Sequence, residues 1–199
     1  MTSGFWWVLL AVAAYGAIHS LLASRRAKRM LEGWLGEGVR RYYRLGFSIL
    51  AGLTFLPVLA LVWLLPDRWI YAVPPPWSAL TALLQLAGLA GLVLGVLQTG
   101  PTRFLGLDQI LDPLHSRRDM VVRGLYRYVR HPLYTCALLF LWLMPVMTWN
   151  LLAFNLGVSA YFIIGSRYEE DKLIEEYGQA YVEYRRQTPA FLPRLKRPD

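Results

Sequence analysis

The feature that most constrains this chain is a set of apolar runs about twenty residues long. Three stand out: Gly4 to Ala23, Tyr43 to Leu65 and Trp77 to Gln98. Each is close to the length a helix needs to cross the hydrocarbon core of a bilayer. Two shorter runs follow, Leu133 to Trp149 and Leu151 to Ser166, joined by almost nothing. Pro145 and the Trp149-Asn150 pair suit a tight bend, so these two runs are expected to form a helical hairpin that only just spans or stays partly embedded. The chain is 56% apolar and 17% charged over 199 residues, too apolar for an ordinary soluble domain. The expectation is an all-α, polytopic membrane protein. It has five transmembrane helices, the last two forming the hairpin, and a cytosolic amphipathic C-terminal helix. One domain covers residues 1–199, with three transmembrane helices in 1–100 and a loop, the hairpin and the tail helix in 101–199.

The net charge of +8 could suggest nucleic acid, but the basic residues flank the apolar runs, and membrane topology explains them better. The loop after the first run carries Arg25, Arg26, Lys28, Arg29, Arg40, Arg41 and Arg44. The loop after the third carries Arg103, Arg117, Arg118, Arg123, Arg127 and Arg130. The tail has Arg167, Lys172, Arg185, Arg186, Arg194, Lys196 and Arg197, whereas the loop after the second run has only Arg68. Five crossings with the N-terminus outside place every basic region but the Arg68 loop in the cytoplasm. The first run has its basic cluster after it rather than before, which predicts a retained helix and not a cleaved signal. The single cysteine, Cys136, excludes an internal disulfide.

Two polar blocks flank the hairpin: GLYRYVRHPLY (Gly124 to Tyr134) and RYEEDKLIEEYGQAYVEYRRQTPAFLP (Arg167 to Pro193). In the first, Pro132 suits the opening turn of a helix, where its missing N–H costs nothing. The free N–H groups of that turn suit an anionic group, or Arg130 simply reaches to headgroups from a capped helix start. In the second, a helix over about Ile163 to Gln187 places Leu173, Tyr177, Tyr181 and Tyr184 in a stripe on one face. Glu169, Glu170, Asp171, Glu175 and Glu176 make an acidic cluster. They read as a solvated face, or as a face from which one carboxylate turns inward to hold an ammonium group while tyrosine rings favour a bound cation. His19, deep in the first run, is either an intramembrane functional group or a neutral histidine bonded to another helix. Gln98, Thr99 and Arg103 line a cytoplasmic cavity or anchor the third helix. Ala87, Gly91 and Gly95 form a small-residue face that most simply packs helices and would also permit a dimer. The histidines His19, His115 and His131 are scattered, giving no metal-ligand set. There is no phosphate-binding glycine loop and no nucleophile elbow.

Taken together, the blocks resemble the isoprenylcysteine carboxyl methyltransferase superfamily of integral membrane enzymes. The resemblance rests on G-x-Y-x-x-x-R-H-P-x-Y (Gly124, Tyr126, Arg130, His131, Pro132, Tyr134). After the hairpin come E-E-x-x-L-x-x-x-Y-G-x-x-Y-x-x-Y and T-P-x-F-L-P (Glu169, Glu170, Leu173, Tyr177, Gly178, Tyr181, Tyr184, Pro193). It covers about Gly124 to Pro193. It implies S-adenosylmethionine as cofactor, with no metal, in a cytosolic pocket closed by the tail. Leu125, Tyr126, Val129, His131, Pro132, Tyr134, Glu169 and Glu170 are then the cofactor contacts. The methyl acceptor, a small molecule or a lipid, arrives from the bilayer. Carboxyl-methylating members place an arginine four residues before the first glutamate, where it can orient an acceptor carboxylate. Here that position is Gly165, and Arg167 lies about 200° further round the helix. The string IIGSRYEEDKL is similar to the branch holding bacterial methanethiol S-methyltransferases and NnrU-type proteins, as are HSLLASRRAK, RYYRLGF and FLGLDQ.

The resemblance therefore implies methyl transfer in a bacterial inner membrane, to a small thiol or lipophilic acceptor. Arg167, Arg130 and His131 are candidate cations to favour a thiolate, with His19 a further candidate. Carboxyl methylation of the isoprenylcysteine type and phospholipid N-methylation are alternatives. A further alternative is an NADPH-dependent sterol or steroid reductase, which shares the R-H-P-x-Y turn, although a dinucleotide phosphate calls for basic partners where Glu169 and Glu170 stand. A third class is a non-catalytic membrane protein acting in assembly or transport. The sequence leaves monomer and homodimer open.

Overall fold

The computed structural model describes residues 2–36, 38–111 and 120–194. His115, Arg117, Arg118, Lys196 and Arg197 lie outside the described residues, as does the side chain of Arg103. The fold is mostly helical. Four helices are long and apolar enough to cross a membrane: α1 (Ser3–Leu22), α3 (Val39–Leu64), α4 (Trp77–Thr99) and α8 (Trp149–Tyr177). Between them lie α2 (Arg25–Leu35), β1 (Trp69–Ala72), α5 (Pro101–Leu105), α6 (Asp108–Leu111), a 3-10 turn at Gly124–Arg127, α7 (Pro132–Trp142) and β2 (Val146–Thr148). The last helix is α9 (Gln179–Gln187). Helices α1, α3 and α4 match the three long apolar runs to within a few residues.

Two expectations change. The fourth run is not one helix: α7 has 11 residues, about 16 Å at 1.5 Å per residue. The chain beyond it opens into β2, which pairs with β1. The tail helix does not run from Ile163 to Gln187 either. The fifth apolar run and the acidic cluster form one 29-residue helix, α8, which ends at Gly178 with φ +60. A positive φ is cheap only for glycine, so the break falls there and Tyr177 is separated from Tyr181 and Tyr184.

The chain divides into two compact units. The first holds Met1–Ile70, Gly100–Arg117 and Thr148–Val158. In it α1 and α3 run antiparallel, with Tyr43 Oη donating to the Leu22 carbonyl and Tyr15 Oη to that of Ala51 at 3.2 Å. Phe5, Val8, Val12, Val58, Val62, Ala153 and Phe154 form the buried core. Asn150, fully buried, donates through Nδ2 to the carbonyls of Val62 and Leu65 at 3.3 and 3.2 Å, two of the last carbonyls of α3. That satisfies groups a helix end leaves open. Trp6, Trp7 and Trp63 sit exposed at one end of this antiparallel pair, and Arg25, Arg26, Arg40 and Arg41 at the other. Tryptophan at one end and arginine at the other is the pattern of helices spanning a bilayer.

The second unit holds Tyr71–Thr99, Arg118–Met147 and Ser159–Asp199. Here α4 and α7 pack antiparallel along the small-residue face of α4. A Cβ on Gly88 would lie 3.1 Å from the Cys136 carbonyl, one on Gly91 2.5 Å from Cys136 Sγ, and one on Gly95 2.7 Å from Leu133 Cδ2. The glycines thus admit a neighbouring helix of the same chain, which accounts for both them and the cysteine. Past α7 the chain continues until the Pro145 carbonyl accepts from Val73 N at 2.8 Å, ahead of the N-terminus of α4. Residues 132–145 therefore return along the length of α4.

Candidate active site

Of the candidate catalytic and cofactor residues all but His19 lie in the second unit, and their geometry is built from three pieces. The first is the 3-10 turn. Gly124 has φ +62, and a Cβ there would lie 2.3 Å from Gln98 Nε2. Only glycine permits both, and it lets Leu125 N donate to Gln98 Oε1 at 3.0 Å. The Tyr126 hydroxyl lies close to the Thr99 side chain. Gln98 and Thr99 at the end of α4 thus serve as anchors of this turn.

The second piece is the start of α7. His131 is the N-cap and Pro132 the first helical residue, as the sequence predicts. The third is the tail after α9, which runs beside the Arg130–His131 backbone. Arg130 N donates to the Pro189 carbonyl at 2.8 Å and His131 N to that of Ala190 at 3.0 Å. The Thr135 hydroxyl lies 2.8 Å from the Phe191 carbonyl. Tyr184 Oη donates to the Tyr126 carbonyl, tying α9 to the 3-10 turn.

Glu170 is the centre of these pieces. Arg130 Nε and Nη2 approach its Oε1 at 2.8 and 2.6 Å, and His131 Nε2 lies 3.0 Å from the same oxygen. Arg185 Nε lies 3.4 Å from Oε2. The side chains of Arg130 and Glu170 are 10% and 9% exposed, so this is a buried pair. The rest of the Arg130 guanidinium donates to the carbonyls of Arg185 and Thr188, so its hydrogen-bonding capacity is committed within the protein. A buried ion pair survives only when its remaining donors and acceptors are satisfied in this way.

Glu169 differs from its neighbour. It stays 48% exposed, accepts from Tyr134 Oη at 2.9 Å and lies 3.8 Å from His131 Nδ1. The His131 ring stacks between Tyr134 and Phe191, with centroids 5.5 and 5.6 Å away, and Tyr134 stacks on Phe162 at 4.6 Å. Burial, with the charge of Glu169, pushes the Tyr126 hydroxyl up to about 12, and burial pushes Tyr181 up to about 12. Tyr184 also moves up, from burial first. These tyrosines are neutral near pH 7. The acidic cluster accordingly splits: Glu170 turns inward, while Glu169, Asp171, Glu175 and Glu176 stay on the exposed face.

The structure brings together Tyr126, Arg130, His131, Tyr134, Glu169 and Glu170, with Leu125, Val129 and Pro132 on the same two turns. Arg167 lies on α8, exposed. His19 belongs to the first unit, on α1, its ring 5.6 Å from that of Tyr15 and 4.8 Å from that of Phe47 beside a cavity of about 200 Å³. Sequence reasoning passed over Arg185, Thr188 and Thr135. The T-P-x-F-L-P motif was the available signal, because its carbonyls supply the partners of the Arg130-His131 backbone.

A site of paired carboxylate, guanidinium and stacked aromatics on membrane helices defines a class, and comparison with known proteins gives it a family. The model of the phospholipid methyltransferase family matches residues 81–180, and the chain belongs to that family. It is similar to methanethiol S-methyltransferase 2 of Bradyrhizobium diazoefficiens, 31% identical over 94% of this chain and 72% of that protein. The methanethiol S-methyltransferase of Pseudomonas deceptionensis is 28% identical over 95% of this chain and 72% of its own length. That of Mycobacterium tuberculosis is 26% identical over 93% and 76%. No solved structure matches the chain. The protein is an integral membrane methyltransferase, in agreement with the superfamily and branch that the motifs resemble.

Proposed function

We propose that the protein transfers a methyl group from S-adenosylmethionine to a small thiol such as methanethiol. The observation that carries this reading is the division of labour between two adjacent carboxylates. Glu170 is held inside the protein by Arg130, His131 and Arg185, which leaves Glu169 exposed beside the aromatic rings of Tyr126 and Tyr134. An exposed carboxylate among aromatic rings fits a cationic ligand such as one carrying an ammonium and a sulfonium. The donor set therefore suits the cofactor, and Glu169 would hold its ammonium end.

When bound, that cofactor supplies a methyl group already activated on a positive sulfur. This chain's own work is then to align and to exclude water. The Arg130–Glu170 pair and the Pro189–Phe191 segment hold the His131 turn and the tail together, giving the rings a fixed frame. A thiol acceptor must lose its proton before it attacks, and a cation favours the thiolate. Arg130 and His131 are both spent on Glu170, so we assign that role to Arg167. The methanethiol S-methyltransferase relatives favour the thiol. Gly165 supports it further, because the guanidinium expected for a carboxylate acceptor is absent.

The antiparallel return of residues 132–145 along α4 supports five crossings, with the N-terminus outside and the site and C-terminus in the cytoplasm of a bacterial inner membrane. Reporter fusions at Met1 and Asp199 should therefore report opposite sides; signals on the same side would refute this topology. Calorimetry with S-adenosylhomocysteine tests the site itself. Glu169→Gln should weaken binding about 10- to 100-fold, the worth of one charged hydrogen bond. Unchanged affinity would remove Glu169 from the site, and stabilisation by NADPH instead would favour the reductase class.

A further inference from the structure

The first unit holds a second site, one with no part in the chemistry above. Helix α2 divides sharply round its axis. At 100° per residue, Met30, Ala27, Trp34, Leu31 and Leu35 share one face, and Arg25, Arg29, Arg26 and Glu32 the other. The apolar face is not fully covered: Trp34 is 80% exposed and Met30 57%. A basic helix with exposed tryptophan on its apolar side lies in a membrane interface. Leu31 and Leu35 line a cavity of about 510 Å³ with Val39, Tyr43, Gly46 and Leu50 of α3. From Val39 to Leu50 that cavity follows α3 for roughly 17 Å, about half of a hydrocarbon core of about 30 Å. That is the depth a single leaflet's acyl chain reaches.

The stretch of chain that builds the cavity is strongly cationic. Seven basic residues stand between Arg25 and Arg44, against Glu32 and Glu37. Lys28 lies one turn before Leu31, at the edge of the cavity-facing stripe. Arg26, Lys28 and Arg29 have no acidic partner among the described residues. A soluble anion would match the charge but leave the apolar cavity and Trp34 without a role. A neutral lipid would fill the cavity but leave the cations unmatched.

We propose that α2 and the first turns of α3 bind one anionic phospholipid as a structural ligand. One acyl chain occupies the α2–α3 cavity, and the phosphate lies at the α2 edge beside Lys28, in the positive field that Arg26 and Arg29 add. The bound lipid keeps α2 flat on the membrane and fills a void that α1–α3 packing alone leaves.

Two variants separate the headgroup from the chain. Gly46 lines the cavity, and a Cβ there meets nothing within 4 Å. Gly46→Leu therefore fills the space while raising helix propensity. Arg26→Gln/Lys28→Gln/Arg29→Gln removes the charge at solvent-facing positions. The full-length protein, delipidated in mild detergent, is offered equal amounts of phosphatidylglycerol and phosphatidylcholine, and retained lipid is counted by native mass spectrometry. Wild type should keep one phosphatidylglycerol, preferred about tenfold or more, as expected for about 1 kcal/mol per basic residue at a surface. The triple variant should lose the preference, and Gly46→Leu should lose the retained lipid. Equal retention of both lipids by wild type, an unchanged preference in the triple variant, or full retention in Gly46→Leu would each overturn the proposal. So would a wild-type dimer that Gly46→Leu breaks while lipid retention stays the same, because a second copy would then fill the cavity.

Discussion

The two units solve opposite problems with the same raw material of apolar helices edged by arginine. In the second, arginine is drawn inward: Arg130 is buried against Glu170 and two main-chain carbonyls, and three separate segments meet at one carboxylate. In the first, arginine stays at the edge, while an apolar cavity opens between α2 and α3. The interior of the first unit is held by ring and aliphatic contacts, by Asn150 at the end of α3, and by the Tyr15 and Tyr43 hydroxyls that tie α1 to α3. Its polar groups can be changed one at a time. The second unit depends on a network in which every member satisfies another, so losing one strands several. Loops gathered on a rigid polar frame suit a catalytic site. A loosely filled, basic-edged unit suits contact with the bilayer.

The sharpest way to break this comparison is Glu170→Ala. It strands Arg130 in a buried site, and breaking a buried pair costs about 3–5 kcal/mol. The melting temperature in detergent should fall steeply and methyl transfer should vanish. A variant of normal stability would mean that the network is not the frame of the unit. The matching cut in the first unit, Asn150→Ala, leaves carbonyls of α3 unpaired, and should cost about 1–3 kcal/mol with cofactor affinity kept. If it cost as much as Glu170→Ala, the contrast between the units would fail. Arg167→Gln should leave stability within about 0.5 kcal/mol of wild type, as surface changes usually do. It should still lower kcat for a thiol and shift the rate profile to higher pH; an unmoved profile would remove Arg167 from acceptor activation. The smallest effect concerns alkali. Tyr126 and Tyr181 are raised to about 12 from an ordinary value of 10.0. Their contribution to stability is intact below pH 10 and is lost as pH rises through about 12, because the unfolded chain ionises first. Tyrosine absorbance followed through that range should rise together with loss of structure, rather than before it.

Much of the fold is legible in the residues themselves. Apolar runs of helix length can only lie in a bilayer or a large core, so α1, α3 and α4 follow directly from Gly4–Ala23, Tyr43–Leu65 and Trp77–Gln98. Pro132 marks a helix start because its ring fixes the backbone for one. The RHPLY and acidic blocks are legible as partners only through their joint spacing. What stayed hidden are the places where composition is silent about direction. Leu133 to Trp149 carries no charge and is almost wholly apolar, and Pro145 marks a bend in it without showing that helix yields to strand after Trp142. Gly178 reads as an interior residue of an amphipathic pattern, yet its left-handed backbone ends α8.

The sequence by itself determined that this is a helical membrane protein with two paired polar blocks, because hydropathy and charge are properties of residues taken in order. Only the tertiary structure decided which of two adjacent glutamates turns inward. Glu169 and Glu170 are chemically alike and differ by 100° on one helix. Which is buried depends on where Arg130, His131 and Arg185 arrive from 15 to 40 positions away, and that is settled by packing rather than by local sequence.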